Sequence, residues 1–409
     1  MTPTPNLDRE LATWFDDQRT TSPTDLLSRI LARVETIGQR PGFLTRDRYM
    51  GRSLRRADTP LLAPAILLLV LLLSAGVAVV GSGLIDSNRS RITTTEGIWH
   101  PDDSVAFRAE LGPELEALKW RAGTYAEYTG SGWTWGDVRR ELVAAGEPVD
   151  IFGLGGDTPM TDGRRRIIIT ITPESLRDRT ILGPNVVERV DQPVDAVVVG
   201  AGGWFTSIEA QSVVRSYTVT ALLPRFGAGP NDINESRLRT AGTDYPAGLL
   251  STYTDLPAEA IGPAATTLLE DIRRQAAAVQ LTDIGEPDNA YDFARATEAY
   301  LRSDRFVYDE DVRGTCPADI STVECFAIIR RGYCEYFAST MAVFLRAAGI
   351  PARIAYGFLP GQRDVDGLEV INGSAMHWWV EVYFPDIGWI EFDPTGGARG
   401  QPQAIPPGR

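Results

Sequence analysis

RRGYCEYFASTMAVFLRAAGIPARIAYGF, residues 330–358, reads as a turn, a helix, a stop and a strand. Gly332 permits a tight turn into the helix, helix-favouring residues follow Cys334, and Gly349 with Pro351 ends the run. Phe337, Ala338, Met341, Ala342, Phe344 and Leu345 make the helix almost entirely apolar, so it is expected to be central and buried. Cys334 falls in the first turn, where unpaired backbone N–H groups and the helix dipole favour an anion. That placement is expected to lower the thiol pKa and raise the thiolate fraction.

A nucleophilic thiol needs a base, and the base needs a third group to hold it. His377 follows Cys334 in the β-type run Met376–Phe384 (MHWWVEVYF). Asp393 comes next, where a second strand-like run, GWIEFDPT (388–395), ends at Pro394. Two adjacent antiparallel strands would present His377 and Asp393 side by side, facing the start of the Cys334 helix. Taken singly, a buried cysteine is usually a small hydrophobe, a histidine usually packs, and Asp-Pro-Thr is a common turn. Together and in this order they specify Cys334, His377 and Asp393 as catalytic.

The scarcity of other candidates supports that choice. The chain has two histidines, His100 and His377, and three cysteines, Cys316, Cys325 and Cys334. A Cys₃His zinc shell is disfavoured because the gaps between the cysteines are much wider than the short spacing such shells use. In an oxidising compartment Cys316 and Cys325 would pair and leave Cys334 as the odd thiol; an arrangement in which Cys325 pairs with neither stays open. Every basic residue but one is Arg, the exception being Lys119, a bias attributed to codon usage. A transferase that accepts amines would also benefit from having few of its own.

Further out, the stretch Leu61–Ile85 carries no charge and is long enough for one helical membrane span. The run begins too late in the chain for a cleavable signal peptide. Arg46, Arg48, Arg52, Arg55 and Arg56 precede it closely, whereas only Arg89 and Arg91 follow it closely. This places residues 1–60 in the cytoplasm and everything after about Asp86 outside. The head carries two amphipathic helical patterns, the second introduced by Ser22 and Pro23, and its partner is unknown. Between Trp120 and Thr220, short β-type runs such as RIIITIT (166–172) predict a separate antiparallel β unit. Leu256–Asp304 reads as helical, broken at Pro263 and Pro287, with one helix over Ala290–Leu301. The net charge of −14 argues against a nucleic-acid surface. No cofactor is expected, and no D-x-D-x-D-G loop suggests calcium.

The G-Y-C-E-x-F-A…R-A-A-G-I-P-A-R, H-x-W-V-E-V-Y-F-P…G-W and F-D-P-T segments resemble the transglutaminase-like superfamily, in particular bacterial membrane proteins with an extracytoplasmic core of this kind. The likeness extends over about residues 116–398 and takes in Trp120–Tyr125, Tyr128–Trp133, Ala294–Leu301 and Phe306–Tyr308. It implies an α+β fold, a papain-like transglutaminase core preceded by a separate antiparallel β domain and a single transmembrane helix. The expected divisions are a helical head at 1–60, the span at 61–85, a β-rich domain at 86–250, the catalytic core at 251–398 and a flexible tail at 399–409. By position the family implies Cys334 as nucleophile, His377 as base and then acid, and Asp393 as orienting acid, with Trp379 and Glu381 as framework residues. It also implies protein or peptide substrates in the cell envelope.

The chain departs from its relatives in having one span before the β region and none after the core. It also has Trp378 after the histidine, where a small residue is more usual; a bulky neighbour is expected to narrow the channel or, by turning the imidazole, to impair activity. The chemistry implied is a thioester on Cys334, formed from a glutamine carboxamide or peptide carbonyl and passed to an amine or water. The alternatives are a cysteine peptidase or amidase, and an inactive adhesion or assembly module, which would have no reason to keep all three residues.

Overall fold

A computed structural model describes residues 102–397, except 113–114, 116–117, 151–161, 201, 279–288 and 318, together with the backbone of 93–94. The expected cytoplasmic head, the membrane span at 61–85 and the tail at 399–409 lie outside the described residues. Among the described residues no helix is long and apolar enough to cross a membrane.

Two antiparallel sheets organise the described residues. The first contains β1 (Trp120–Tyr125), β2 (Val138–Val143), β3 (Val194–Val199), β4 (Trp204–Ala210), β5 (Ala352–Phe358), β6 (Met376–Phe384) and β7 (Gly388–Phe392). Their order across it is β7-β6-β5-β1-β4-β3-β2. The second runs Gln362–Arg363, Glu369–Asn372, Val105–Glu110, Arg164–Pro173, Tyr217–Pro224, Val186–Val190.

Both sheets combine strands from either side of residue 250. β5 of the expected core pairs directly with β1 of the expected β domain, and Glu369–Asn372 pairs with Val105–Glu110. The upstream strands are therefore not a separate sheet, and the described residues lie in one compact unit. The reason is that β5 and Glu369–Asn372 would otherwise be edges with open backbone hydrogen-bonding groups, and the upstream strands satisfy them.

Side chains of the first sheet join two cores. With the helices they bury Ile354, Val380, Val382, Ile390 and Phe392; with the second sheet they bury Trp120, Phe205, Ile208 and Phe358. Against the first face pack α1 (Pro263–Ala278), α2 (Ala290–Leu301), α3 (Thr322–Ile329) and α4 (Cys334–Ala347). Pro263 begins α1 instead of breaking it, because the first helical position needs no N–H donor. The N–H groups of Ala264 and Ala265 donate to the Glu324 carboxylate of α3, both at 2.9 Å, so one buried side chain ties two helices together.

The central helix α4 is as apolar in packing as in sequence. Phe337, Met341, Phe344 and Leu345 are wholly buried, each worth about 1.5–3 kcal/mol relative to exposure. Arg346, in its last turn, is also buried and donates to the backbone oxygens of Ala352 and Ala126, locking the helix to β5 and to the end of β1. Gly349, at φ 75°, turns the chain out of the helix.

Candidate active site

Cys334 is the first residue of α4 and its side chain is wholly buried. Gly332 makes the approach feasible, since a Cβ there would lie 2.8 Å from the Tyr336 side chain. Burial pushes the Cys334 thiol well up from its ordinary value. The backbone N–H groups of Trp378 and Glu335 favour the thiolate, while the Glu335 and Asp393 carboxyls oppose it. The expected lowering at a helix N-terminus is thus reversed, because loss of solvent outweighs the few N–H dipoles gained. Trp378 directly follows His377 in the chain, so the thiol meets β6 one residue beyond the histidine.

His377 lies near the start of β6, opposite Gly357 of β5. Its Nε2 stands 3.1 and 3.0 Å from Oδ1 and Oδ2 of Asp393, and both residues are buried. A proton on Nε2, shared with a carboxylate, leaves the lone pair on Nδ1, the form a general base requires. Asp393 follows directly after β7, whose antiparallel pairing with β6 brings the two side chains together. Alternation along β6 sends Trp378 to the face opposite His377. There Trp378 packs 5.6 Å from the Tyr125 ring, in the helix-side core. The bulky neighbour therefore leaves the imidazole bonded to Asp393.

Residues both remote and adjacent in sequence hold Asp393. Its backbone N–H donates to Glu298 of α2 at 2.8 Å, and Arg302 donates to its carbonyl oxygen at 3.0 Å. The Thr395 N–H donates to Oδ1 at 3.2 Å, and the Lys119 ammonium lies 3.5 Å from Oδ2. Behind His377, Arg121 of β1 and Arg353 of β5 both bond Glu381 of β6, clamping three strands. Burial alone would push the Glu381 carboxyl up, but the Arg353 and Arg121 guanidiniums hold it below the ordinary carboxylate range. Sequence reasoning singled out Trp379 and Glu381 as framework residues but missed Glu298, Arg302 and Thr395, and it read Lys119 as codon bias. The uniqueness of Lys119 was the available signal.

Cys316 and Cys325 are joined by a disulfide. This removes two of the four ligands of a Cys₃His shell and leaves Cys334 as the free cysteine.

Residues 276–394 match the model of the Transglutaminase-like superfamily. YebA of Bacillus subtilis is 30% identical over 335 residues, covering 76% of this chain and 43% of YebA. A protein-glutamine gamma-glutamyltransferase of Pseudomonas aeruginosa is 42% identical over 67 residues, 16% of this chain and 10% of that protein. The chain thus spans less than half the length of either relative. The periplasmic domain of TgpA from Pseudomonas aeruginosa shares the fold with a TM-score of 0.50 at 19% identity, covering 72% of this chain and 88% of that domain. The chain carries, over residues 276–394, a core of the transglutaminase-like superfamily.

Proposed function

We propose that the chain is a cysteine acyltransferase of transglutaminase type, with Cys334 as nucleophile, His377 as base and then acid, and Asp393 as the orienting carboxylate. The observation that carries this reading is the buried His377–Asp393 hydrogen bond, one residue along β6 from the Trp378 N–H that favours the Cys334 thiolate. Because burial keeps the resting thiol protonated, attack on a carboxamide carbon is coupled to transfer of its proton to Nδ1. The sulfur–carbon bond forms, the carbon–nitrogen bond breaks, and the imidazolium returns the proton to the departing amine. An incoming amine then gives up a proton to His377 and displaces the sulfur. The backbone N–H of Cys334 is a candidate donor to the oxyanion. Lys119, the chain's single lysine, is buried and paired with carboxylates, so it offers the thioester no competing amine.

Cys334→Ala should reduce incorporation of a labelled primary amine into a blocked glutaminyl peptide to background. A thioester trapped on Cys334 should be visible by mass spectrometry of the wild type. Wild type that releases ammonia or cleaves peptides without ever incorporating the amine would leave the cysteine amidase or peptidase reading in place of the transferase. We further propose that Leu61–Ile85 anchors the chain in the membrane, with residues 1–60 cytoplasmic and the catalytic unit outside acting on envelope proteins or peptides. The uncharged run and its preceding arginines support this, as does the disulfide, which persists in oxidising compartments. The periplasmic origin of the TgpA domain is in keeping with it.

A further inference from the structure

Lys119 is the chain's only lysine, and it lies against the candidate catalytic carboxylate. Everywhere else the chain uses Arg, whose planar fork grips a carboxylate through two parallel hydrogen bonds. An ammonium is a compact point charge that two carboxylates can share. Lys119 does so, with Nζ 3.5 Å from Oδ2 of Asp393 and 3.8 Å from Oε2 of Glu391, and 5.6 Å from the centroid of the Trp379 ring. All three partners lie on β6, on β7 or just beyond it, whereas Lys119 immediately precedes β1, so the contact crosses the sheet. Arg121, on β1 itself, is committed to Glu381. Glu391 accepts from Asn185 at 2.8 Å through its other oxygen. Burial pushes the Glu391 and Glu298 carboxyls up, and the Lys119 charge opposes both shifts.

We propose that Lys119 is a positioning residue for acyl transfer: its ammonium fixes the Asp393 carboxylate in the orientation that bonds His377 Nε2, and so holds the imidazole in the tautomer whose Nδ1 acts as base. The proposal rests on the acyltransfer reading for its kinetic consequence and on geometry alone for its spectroscopic one. Because the chain has two histidines, ¹⁵N-histidine labelling with His100→Asn as the assignment control isolates the Nε2–H resonance of His377.

In Lys119→Met, shown to be folded by circular dichroism, that resonance should move or disappear into solvent exchange. With the glutaminyl peptide and labelled amine, kcat should fall at least about tenfold with KM within about twofold. Glu391→Gln leaves the ammonium to Asp393 and should keep both the resonance and kcat. Folded Lys119→Met with wild-type resonance and kcat overturns the proposal. So does Glu391→Gln with the losses expected of Lys119→Met, since Lys119 would then serve Glu391. If Lys119→Met does not fold, Glu391→Gln decides alone: a retained resonance supports the proposal and a lost one overturns it. The resonance is read without substrate, so a wild type that never forms a thioester refutes the acyltransfer reading while leaving this test intact.

Discussion

Glu335, which follows Cys334, is buried, and among the described residues its Oε1 has no hydrogen-bond partner. Burial pushes its carboxyl up to about 8, so at neutral pH it carries its proton, and its opposition to ionisation of the Cys334 thiol sets in only as pH rises through that value. The unfolded chain releases that proton in the ordinary carboxylate range. The stabilising contribution is therefore fully present below that range and is lost as pH rises through about 8. Urea denaturation at pH 5 and pH 8.5 should show wild type losing on the order of a few kcal/mol more than Glu335→Gln across the interval; equal losses would refute this. At this scale the nearness of His377 to Asp393 and the place of Cys334 at a helix start were legible, because cysteine and histidine are scarce and their neighbours fix the local geometry. The direction of the thiol shift was not, since it depends on how completely the rest of the chain covers the sulfur. Nor was Lys119, which lies far upstream of its partners in the chain and meets them only through the sheet.

Among the elements, the junction of β1 and β5 is the most exacting. The register shifts between Tyr356 and Gly357, and a Cβ at Gly357 would lie 1.8 Å from the Trp120 carbonyl oxygen. Trp120 adjoins Lys119, and Gly357 pairs with His377, so the same junction serves both. Gly357→Ala should cost about 1–3 kcal/mol by forcing the backbones apart. It should also lower amine incorporation; a wild-type melting temperature and rate would show that the close approach is dispensable. The helix over Ala290–Leu301 and the helix beginning at Cys334 lie where the local pattern put them. Arg166–Thr172 proved to be the middle of a longer strand, Arg164–Pro173. The antiparallel pairing of β6 with β7 was legible, but that of β1 with β5 was not, because they are joined across most of the described chain and no local period encodes that choice.

For the whole molecule, the shared sheet means that the family-matched segment, 276–394, does not contain the strands that complete it. The apolar run at 61–85 and the arginines before it make a prediction about sidedness. Protease added to intact cells should remove the region after residue 86 and spare residues 1–60; protection of the downstream region would overturn the orientation. The disulfide has a further consequence for biogenesis. Synthesis runs from the N-terminus, so Cys316 and Cys325 emerge before Cys334, and the two lie close together in the chain. An oxidase acting on the nascent chain meets a complete pair before the third thiol is available to compete. If the chain is exported as proposed, the order of appearance favours the Cys316–Cys325 pair and leaves Cys334 reduced, a bias written in the linear spacing of the cysteines and independent of the finished fold.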